Sequence, residues 1–330
     1  MGDLVLGIET SCDDTSVALV DMQGNVAAIE TVSQYEIHSE FGGVYPELAS
    51  RAHLEAILPV IEKVMTKAGV TPVDLRAIGV TRGPGLMGSL LVGLSTAQAL
   101  GMAWNIPTYG VNHLRGHIRS VDLEEKRLAY PALVLLVSGG HTLLAYLKNQ
   151  YSYELLGITR DDSVGECYDK VARTLGLGMP GGPAIDRMAA AGTANIKFPR
   201  PMIKSGYEFS FSGLKSSVAR YVETHAEFDV KDVAAAFVDA CLDVLSTKVL
   251  RGINELKPAT LAVVGGVAAS PQVRACMQNI TKQSGVTLCL PPQKWATDNA
   301  AMIAMATWDY IEQGIEADLE PKPNLKLGDA

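Results

Sequence analysis

The sequence feature that most constrains the fold is a pattern that occurs twice along the chain. Residues 5–20 consist of an apolar run, a turn of small and polar residues and a second apolar run, and residues 131–146 repeat this arrangement. Each copy predicts a β-hairpin, because two apolar runs joined by a short polar turn are typical of paired strands. The copies lie about 130 residues apart, which is too far for a solenoid repeat and indicates a duplicated domain.

Helix and strand patterns alternate after each hairpin. The predicted helices are 46–68, 90–103, 230–254, 272–283 and 297–312, and the predicted strands are 77–80, 107–111, 260–264 and 287–290. This alternation is typical of a mixed β-sheet with helices on its faces. In the first helix, Leu48, Ala52, Leu54 and Leu58 are predicted to lie roughly on one apolar face. The sequence therefore predicts two α/β lobes.

The chain length of 330 residues fits two domains. We expect residues 1–125 to form the N-terminal lobe, 126–310 the C-terminal lobe and 311–330 a loosely held tail, with the charged segment 122–127 as a solvated linker. No apolar run approaches the ~20 residues that cross a bilayer, and the first residues do not resemble a signal peptide. Five scattered cysteines without a CxxC pair indicate reduced thiols in a cytoplasmic protein.

Two histidines, His113 and His117, are the first candidates for chemistry. Asn112 is a suitable N-cap for a helix that starts at His113, and this helix would place both imidazoles on one face. Such a pair can bind a first-row metal ion, although two histidines that cap or pack are the alternative. Gly116 would let another element approach closely. Leu114 occupies the place of the glutamate in the HExxH motif, which speaks against a zinc peptidase.

Glycine-rich turns are concentrated in the second half of the chain. Residues 137–140 offer consecutive backbone N–H groups that could hold a phosphate, and residues 180–183 and 264–267 are similar turns. Each could be an ordinary turn, but three together favour a nucleotide site. None matches the P-loop motif, which requires Gly-Lys-Ser/Thr. The turn at 83–85 is read as a structural connection between a strand and a helix.

Five carboxylates accompany these motifs. Glu9 and Asp13 flank the first hairpin turn, Asp169 lies in a Tyr-Asp-Lys segment, and Asp186 follows the turn at 180–183. Asp298 stands at the predicted start of the last helix, where a helix cap is the alternative to a ligand. Spacing alone does not bring Asp298 to the histidines.

Nine segments in a fixed order carry a family resemblance. They are ETSCDD (9–14), FGGVYPELASRAH (41–53), GPGLMGSLLVG (83–93), NHLRGH (112–117), LVSGGHT (136–142), YDKVARTLGL (168–177), PGGP (180–183), FSFSGLK (209–215) and ATDNAAMIA (296–304). Together they closely resemble the TsaD family of tRNA adenosine threonylcarbamoyltransferases, in the form typical of its bacterial branch. The resemblance covers essentially the whole chain. It implies an actin-like ATPase fold, shared with sugar kinases and Hsp70, in which two duplicated RNase H-like lobes surround a cleft.

The resemblance also implies the reaction and the site. The enzyme would transfer the threonylcarbamoyl group from threonylcarbamoyl-AMP to N6 of adenosine 37 in tRNAs that read codons beginning with A, releasing AMP. By similarity, His113, His117 and Asp298 bind one iron or zinc ion. The positions that match the adenylate-binding residues of the family are Leu136, Val137, Ser138, Gly139, Gly140, Asp169, Gly182 and Asp186. Ser270 replaces an asparagine that the family usually has, which puts a substrate contact in doubt.

A mechanism follows from these expectations as a hypothesis. The metal would polarise the carbonyl under attack as a Lewis acid, and the N–H groups of Ser138–Gly140 would hold the departing phosphate. Glu9 and Asp13 are candidates for proton removal or substrate orientation. The resemblance also implies tRNA, a paralogous actin-fold partner (TsaB-like) and a small ATPase (TsaE-like) as partners.

The net charge of −8 means that any RNA contact needs a local basic patch or a partner protein. The candidates, each with solvated surface charge as the alternative, are Arg115 and Arg119, predicted to be free for an anionic ligand, and Lys197, Arg200, Lys204 and Lys215. Two other functions remain as alternatives. An ATPase or kinase of the same fold would need a carboxylate base and Mg²⁺ instead of a His/His/Asp group. A non-catalytic nucleotide-binding subunit would be expected to lack both the histidines and the SGG turn.

Overall fold

A computed structural model describes residues 2–39, 43–124, 128–315 and 318–329 of the chain. The chain divides into two compact units, of which unit 1 comprises Met1–Arg127 and Asp298–Ala330, and unit 2 comprises Leu128–Thr297. The described residues form two five-stranded sheets, one in each unit.

Unit 1 combines the first sheet with its covering helices. In chain order its elements are β1 (Leu4–Glu9), β2 (Asp14–Asp21), β3 (Val26–Ser33), α1 (Tyr35–Ser39), α2 (Pro46–Ala68), β4 (Leu75–Gly83), α3 (Met87–Trp104), β5 (Thr108–Asn112), α4 (His113–Arg119) and, from the end of the chain, α10 (Ala300–Gln313).

Unit 2 likewise combines a five-stranded sheet with helices. Its elements are β6 (Ala132–Val137), β7 (Thr142–Asn149), β8 (Ser152–Ile158), α5 (Val164–Thr174), α6 (Gly181–Ala190), α7 (Ser212–Thr224), α8 (Val230–Leu256), β9 (Thr260–Val264), α9 (Pro271–Ser284) and β10 (Thr287–Cys289).

The two sheets have the same topology, which confirms the predicted duplication. Their strand orders are β3-β2-β1-β4-β5 and β8-β7-β6-β9-β10. In each sheet the first three strands form an antiparallel meander, and the fourth and fifth strands continue parallel to the first. Both predicted hairpins are present as β1–β2 and β6–β7. The central strands are almost fully buried, as expected for a sheet that is covered by helices on its faces.

The buried face of α2 differs from the predicted one. Leu54 and Leu58 are 67% and 58% exposed. The face that packs on the sheet contains Ala49, His53, Ile57, Val60, Ile61 and Val64 instead. These residues recur at spacings of three and four and lie on one face of the helix, whereas Ala52 and Leu54 of the predicted set are two positions apart and do not. The helical period therefore favours the observed face.

Helix α10 belongs to unit 1, whereas the prediction assigned residues up to 310 to the C-terminal lobe. Glycines on the strands allow α10 to lie directly on the sheet. A Cβ atom at Gly7 would be 2.2 Å from the backbone oxygen of Ala300, and one at Gly79 would be 1.8 Å from Oγ1 of Thr307. The predicted boundary at 125/126 lies outside the described residues.

The C-terminal tail is anchored to unit 1, in contrast to the loose tail that we expected. Arg82 forms an ion pair with Asp318. Leu325 and Leu327 are buried, and the side chain of Asn112 donates a hydrogen bond to the backbone oxygen of Lys326 at 2.7 Å. The predicted solvated linker also begins differently, because Asp122 is buried and pairs with Arg119. Within the described ranges, no helix is both long and apolar enough to span a membrane.

Candidate active site

Helix α4 begins where the sequence predicted. The backbone N–H of Leu114 donates to Oδ1 of Asn112 at 2.9 Å, so Asn112 is the N-cap. His113 and His117 follow on one face, and their ring centroids are 4.7 Å apart with the rings at 82°. A Cβ atom at Gly116 would lie 2.8 Å from Cδ1 of Ile303, so this glycine permits the close approach of α10.

Asp298 lies close to the two histidines, although it belongs to the C-terminal segment of unit 1. The cap of α10 is Asn299, whose side chain accepts from the N–H of Met302, so Asp298 is not the helix cap. Oδ1 of Asp298 is 3.1 Å from Nε2 of His117 and 3.7 Å from Nε2 of His113. One ligand atom from each of the three residues lies within 4.8 Å of the other two.

The three side chains fit a metal ion. His117 is fully buried. Although its Nε2 lies 3.1 Å from Oδ1 of Asp298, neither of its ring nitrogens has the geometry of a hydrogen bond to any described residue. Buried polar atoms normally have a partner, and a metal ion would supply one. Two imidazoles and a carboxylate are ligands that suit zinc or ferrous iron.

Glu9 lies behind the histidines at the end of β1. Its Oε2 is 2.9 Å from Nδ1 of His113 and accepts a hydrogen bond from Oγ1 of Thr81 at 2.6 Å, while Oε1 accepts from the N–H of Ser11 at 2.6 Å. The contact to Nδ1 orients the ring so that Nε2 faces Asp298. Such a carboxylate behind a ligating histidine is a recurrent feature of metal sites.

The electrostatics of this group favour positive charge at His113. Burial opposes the charged form of the ring, but the carboxylates of Glu9 and Asp298 outweigh it and raise the pKa of His113 to about 9. Burial likewise disfavours the ionised form of Glu9, and the interaction with His113 outweighs it, so that the pKa of Glu9 is lowered. A proton or a metal ion can supply the positive charge that the two carboxylates stabilise.

A second candidate site lies wholly within unit 2. It is a cavity of about 610 Å³, a size that suits a small-molecule ligand. The three glycine-rich turns that the sequence singled out all contribute to its wall, through Gly139, Gly182 and Gly266. The polar residues among its lining are Tyr168, Asp169, Asp186, Arg187, Ser270, Gln272 and Gln293.

The SGG turn offers fewer free N–H groups than predicted. Leu136 and Val137 are strand residues of β6, and the N–H of Ser138 donates to the backbone oxygen of His141. Among the described residues, nothing accepts a hydrogen bond from the N–H of Gly139 or Gly140. A Cβ atom at either glycine would meet no atom within 4 Å, so the space in front of both is open. Two of the five predicted residues can therefore present an N–H group.

Asp169 is occupied within the fold. Its Oδ1 accepts a hydrogen bond from the N–H of Gly181 at 3.0 Å, at the start of α6. Burial raises the pKa of Asp169, and the N–H groups of Gly181 and Gly182 oppose this shift. The carboxylate therefore holds the start of α6, including Gly182, in place at the edge of the cavity.

Asp186 and Ser270 form a connected pair at the cavity. Asp186 is 9% exposed, and its Oδ1 has no hydrogen-bond partner within the described ranges. Burial raises the pKa of Asp186, and the neighbouring hydroxyl of Ser270 offsets part of the shift. Ser270 also caps α9, and Nε2 of Gln272 donates to the backbone oxygen of Asp186 at 2.8 Å.

Comparison with known proteins identifies the family. The family described as TsaD, tRNA N6-adenosine threonylcarbamoyltransferase, matches residues 25–305. A tRNA N6-adenosine threonylcarbamoyltransferase of Bacillus subtilis is 47% identical over 98% of this chain and 95% of its own length, and one of Carboxydothermus hydrogenoformans is 45% identical over 100% and 99%. The chain belongs to the TsaD family. It is therefore an acyltransferase of tRNA modification, which transfers the threonylcarbamoyl group to N6 of a tRNA adenosine in t6A biosynthesis.

Solved structures confirm the actin-like ATPase fold of this TsaD chain. The activator of the 2-hydroxyisocaproyl-CoA dehydratase from Clostridium difficile matches with a TM-score of 0.54 at 15% identity, over 94% of this chain and 96% of the activator. HypF of T. kodakarensis matches with a TM-score of 0.66 at 14% identity, over 94% of this chain and 48% of HypF.

Four of the six basic residues predicted to contact tRNA are engaged within the TsaD chain. Both arginines of α4 are buried, so the prediction that they are free for an anionic ligand is wrong. Their partners, and those of two further residues, are as follows: Arg115 stacks on Tyr310, Arg119 pairs with Asp122 and Asp309, Arg200 pairs with Asp239 and Asp243, and Lys215 pairs with Asp162. Lys197 and Lys204 are exposed.

Asp13, predicted as a catalytic partner of Glu9, lies in the turn between β1 and β2 and is partly exposed. Across the described chain no contact joins its carboxylate to the histidines. The sequence did not point to Ser11 and Thr81, which hold Glu9, because hydroxyl residues in strands and turns carry no distinctive pattern. It also did not point to Tyr168, which lines the cavity in unit 2.

Proposed function

We propose that this enzyme takes the threonylcarbamoyl group from threonylcarbamoyl-AMP and transfers it to adenosine 37 of tRNAs that read codons beginning with A. N6 of the adenosine attacks the carbamoyl carbon, the bond between that carbon and the phosphate oxygen breaks, AMP leaves and N6 loses a proton. Membership of the TsaD family supports the reaction. The structural observation that carries the proposal is the convergence of His113, His117 and Asp298.

His113 and His117, through Nε2, and Asp298 would hold one Fe²⁺ or Zn²⁺ ion. A bound ion would act as a Lewis acid on the carbonyl group that is attacked. Both oxygens of Glu9 are occupied by hydrogen bonds, one of them with His113, and the residue is 1% exposed. We therefore assign Glu9 the role of orienting His113. Asp13, which is partly exposed, is the better placed of the two carboxylates to accept the proton of N6.

The cavity in unit 2 would bind the adenylate part of the donor. The free N–H groups of Gly139 and Gly140 suit the phosphate, and their hydrogen bonds to the leaving phosphate oxygen would favour its departure. Asp186 and Ser270 offer an acceptor and a hydroxyl to the nucleoside. One protein of the same fold, the dehydratase activator, is described with bound ADPNP, which agrees with a nucleotide in this fold.

The partners and the location are part of the same proposal. The family resemblance supports a paralogous actin-fold partner (TsaB-like), a small ATPase (TsaE-like) and a cytoplasmic location, where tRNA is modified. Lys197 and Lys204 are our candidates for contacts with tRNA phosphates, because their side chains are exposed.

The test combines metal analysis with a transfer assay on the full chain. Wild type, His117→Ala and the control His225→Ala, which alters an exposed histidine of unit 2, are incubated with synthetic threonylcarbamoyl-AMP, tRNA and the partner proteins. We expect His117→Ala to lose the metal and at least about a hundredfold in transfer rate, while its affinity for AMP is unchanged. Full transfer by a metal-free variant would contradict the proposal.

A further inference from the structure

The asparagine at the start of α4 makes more contacts than a helix cap requires. Oδ1 of Asn112 accepts a hydrogen bond from the N–H of Leu114 at 2.9 Å, and this one acceptor completes the cap. Serine or aspartate would cap a helix about as well. Asn112 is fully buried, and a buried amide also needs an acceptor for its N–H groups. The amide nitrogen therefore has a separate partner to find.

That partner is in the C-terminal tail, 214 positions further along the chain. Nδ2 of Asn112 donates to the backbone oxygen of Lys326 at 2.7 Å. This oxygen lies in a turn, because it also accepts from the N–H of Asp329 at 3.1 Å, and Oδ2 of Asp329 accepts from the N–H of Lys326 at 3.1 Å. The backbone oxygen of Asp329 accepts from Arg115 of α4 at 3.4 Å. The tail is thus bonded both to the cap of α4 and to its first turn.

The tail is itself attached to unit 1 at points outside α4. The N–H of Lys322 donates to the backbone oxygen of Arg82 at 2.7 Å, and the N–H of Gly85 donates to the backbone oxygen of Pro323 at 3.1 Å. Leu327, inside the turn that contacts Asn112, is 1% exposed. Because the tail is anchored independently of α4, its contact with Asn112 restrains the helix.

Helix α4 depends on such restraints because it is short. It has seven residues, whereas an isolated helix needs about 12–15 residues to be even marginally stable. His113 directly follows Asn112, and His117 lies one turn later. Ligand distances at a metal ion are fixed to within about 0.2 Å. A displaced helix start would therefore move both imidazoles away from the positions that an ion shared with Asp298 requires.

We propose that the C-terminal tail positions the metal site of unit 1 through Asn112. The hydrogen bond from Nδ2 of Asn112 to the carbonyl of Lys326 fixes the start of α4 and with it the geometry of the two histidines. Asn112 is a positioning residue, since it acts on the ion through the histidines. This inference rests on the proposed metal function of His113, His117 and Asp298.

The test changes the two sides of this contact separately. Asn112→Ser keeps a capping oxygen but lacks the amide nitrogen, and Leu327→Ala loosens the tail without altering α4. Val64→Ala, at a fully buried position of α2, is the control for a general loss of stability. Three quantities are measured on the full chain: the affinity for Zn²⁺ in competition with a chelator, the visible spectrum of the Co²⁺-loaded protein and the unfolding midpoint of the metal-free protein.

We expect Asn112→Ser and Leu327→Ala each to bind Zn²⁺ about 10-fold more weakly than wild type. Their Co²⁺ spectra should change as well, because the spectrum depends on the geometry of the ligands. Val64→Ala should lower the unfolding midpoint and leave both the affinity and the spectrum as in wild type. In the double variant, Leu327→Ala should add no further loss to that of Asn112→Ser, because both changes break the same connection.

The outcomes separate this inference from the proposed function. If wild type binds neither Zn²⁺ nor Co²⁺, the metal site itself is overturned. If wild type binds both ions and either single variant matches it in affinity and spectrum, the tail does not position the site. An equal loss in Val64→Ala would assign the effect to general stability, and additive losses in the double variant would show that the tail does not act through Asn112. Either result would overturn the inference. If Asn112→Ser does not fold, the comparison of Leu327→Ala with Val64→Ala still decides it.

Discussion

The two units share one strand order but differ at the turn that follows the first strand. In unit 1 the last residue of this strand is Glu9, whose buried carboxylate forms three hydrogen bonds, one of them with His113. In unit 2 the strand ends at Val137, and the turn after it contains Ser138 and two glycines that face open space. A buried carboxylate favours a cation, whereas bare N–H groups favour an anion. The region where the first strand ends thus favours opposite charges in the two units.

Glycines near the two strand ends serve different purposes. Gly7 in β1 lies against α10, where a side chain would overlap the backbone of Ala300. A Cβ atom added at Gly139 or Gly140 would have no neighbouring atom within 4 Å. Gly7 thus permits the packing of α10 on the sheet, whereas Gly139 and Gly140 leave their turn accessible.

The largest expected effect on stability comes from replacing Gly7 by alanine, and the same replacement at Gly140 is its comparison. Gly7→Ala should destabilise unit 1 by about 3 kcal/mol, because α10 must move away from the sheet. Gly140→Ala should change the free energy of unfolding by less than about 0.5 kcal/mol and lower the affinity for AMP about 10-fold. Denaturant unfolding and calorimetry on both variants measure the two quantities.

The comparison between the glycines fails if the effects are exchanged. A stable Gly7→Ala variant would show that the contact of α10 with β1 can relax. A destabilised Gly140→Ala variant that still binds AMP as wild type does would show that this glycine serves the fold and not a ligand.

A smaller effect, on metal affinity, is expected when the carboxylate of Glu9 is neutralised. In Glu9→Gln the side chain has one amide nitrogen in place of an oxygen, so it cannot accept hydrogen bonds from Ser11, Thr81 and His113 together. We expect metal affinity, measured by competition with a chelator, to fall about 10- to 100-fold. Affinity for AMP in unit 2 should stay the same. Glu30→Gln, which alters a carboxylate that pairs with Lys63, is the control, and an equal loss in both variants would refute the orienting role.

Sequence patterns predicted the features of both units that depend on near neighbours. The hairpins, the N-cap at Asn112 and the glycine-rich turns are defined by a few adjacent residues, and the structure contains all of them. The resemblance to TsaD added the fold. It also added Asp298, for which the local pattern favoured a helix cap.

Features that depend on packing between distant segments were not predictable in this way. The position of α10 in unit 1 depends on Gly7 and Gly79, which are ordinary strand residues until a helix is placed on them. The two arginines of α4 follow helical periodicity on a polar face, but the structure covers that face with α10 and the tail. Charge patterns do not reveal such burial, because the covering residues lie far away in the sequence.

The carboxylates near the first turn of unit 1 also predict that the stability of the fold depends on pH. Burial and the charges of Asp13, Asp298 and Glu9 raise the pKa of Asp14, the first residue of β2, to about 6, against a partial opposing effect of Ser33. A raised pKa in the folded state means that stability is present below pH 4 and is lost as the pH rises through about 6. For metal-free protein we expect a loss of about 1–2 kcal/mol over this window, which Asp14→Asn should abolish. Denaturant unfolding at several pH values measures the slope, and an unchanged slope in the variant would contradict the assignment.

The smallest expected effect concerns Ser270, which stands where the family resemblance led us to expect an asparagine. Ser270 already caps α9 and its hydroxyl donates to Oε1 of Gln272 at 3.4 Å, and Gln272 holds the backbone of Asp186. Ser270→Asn keeps a capping residue and extends an amide toward the cavity, so we expect the affinity for AMP to change by less than about fivefold and the unfolding midpoint to stay the same. A much larger gain would mean that the serine weakens the site of unit 2, and a large loss would mean that the serine hydroxyl is part of substrate recognition in this chain.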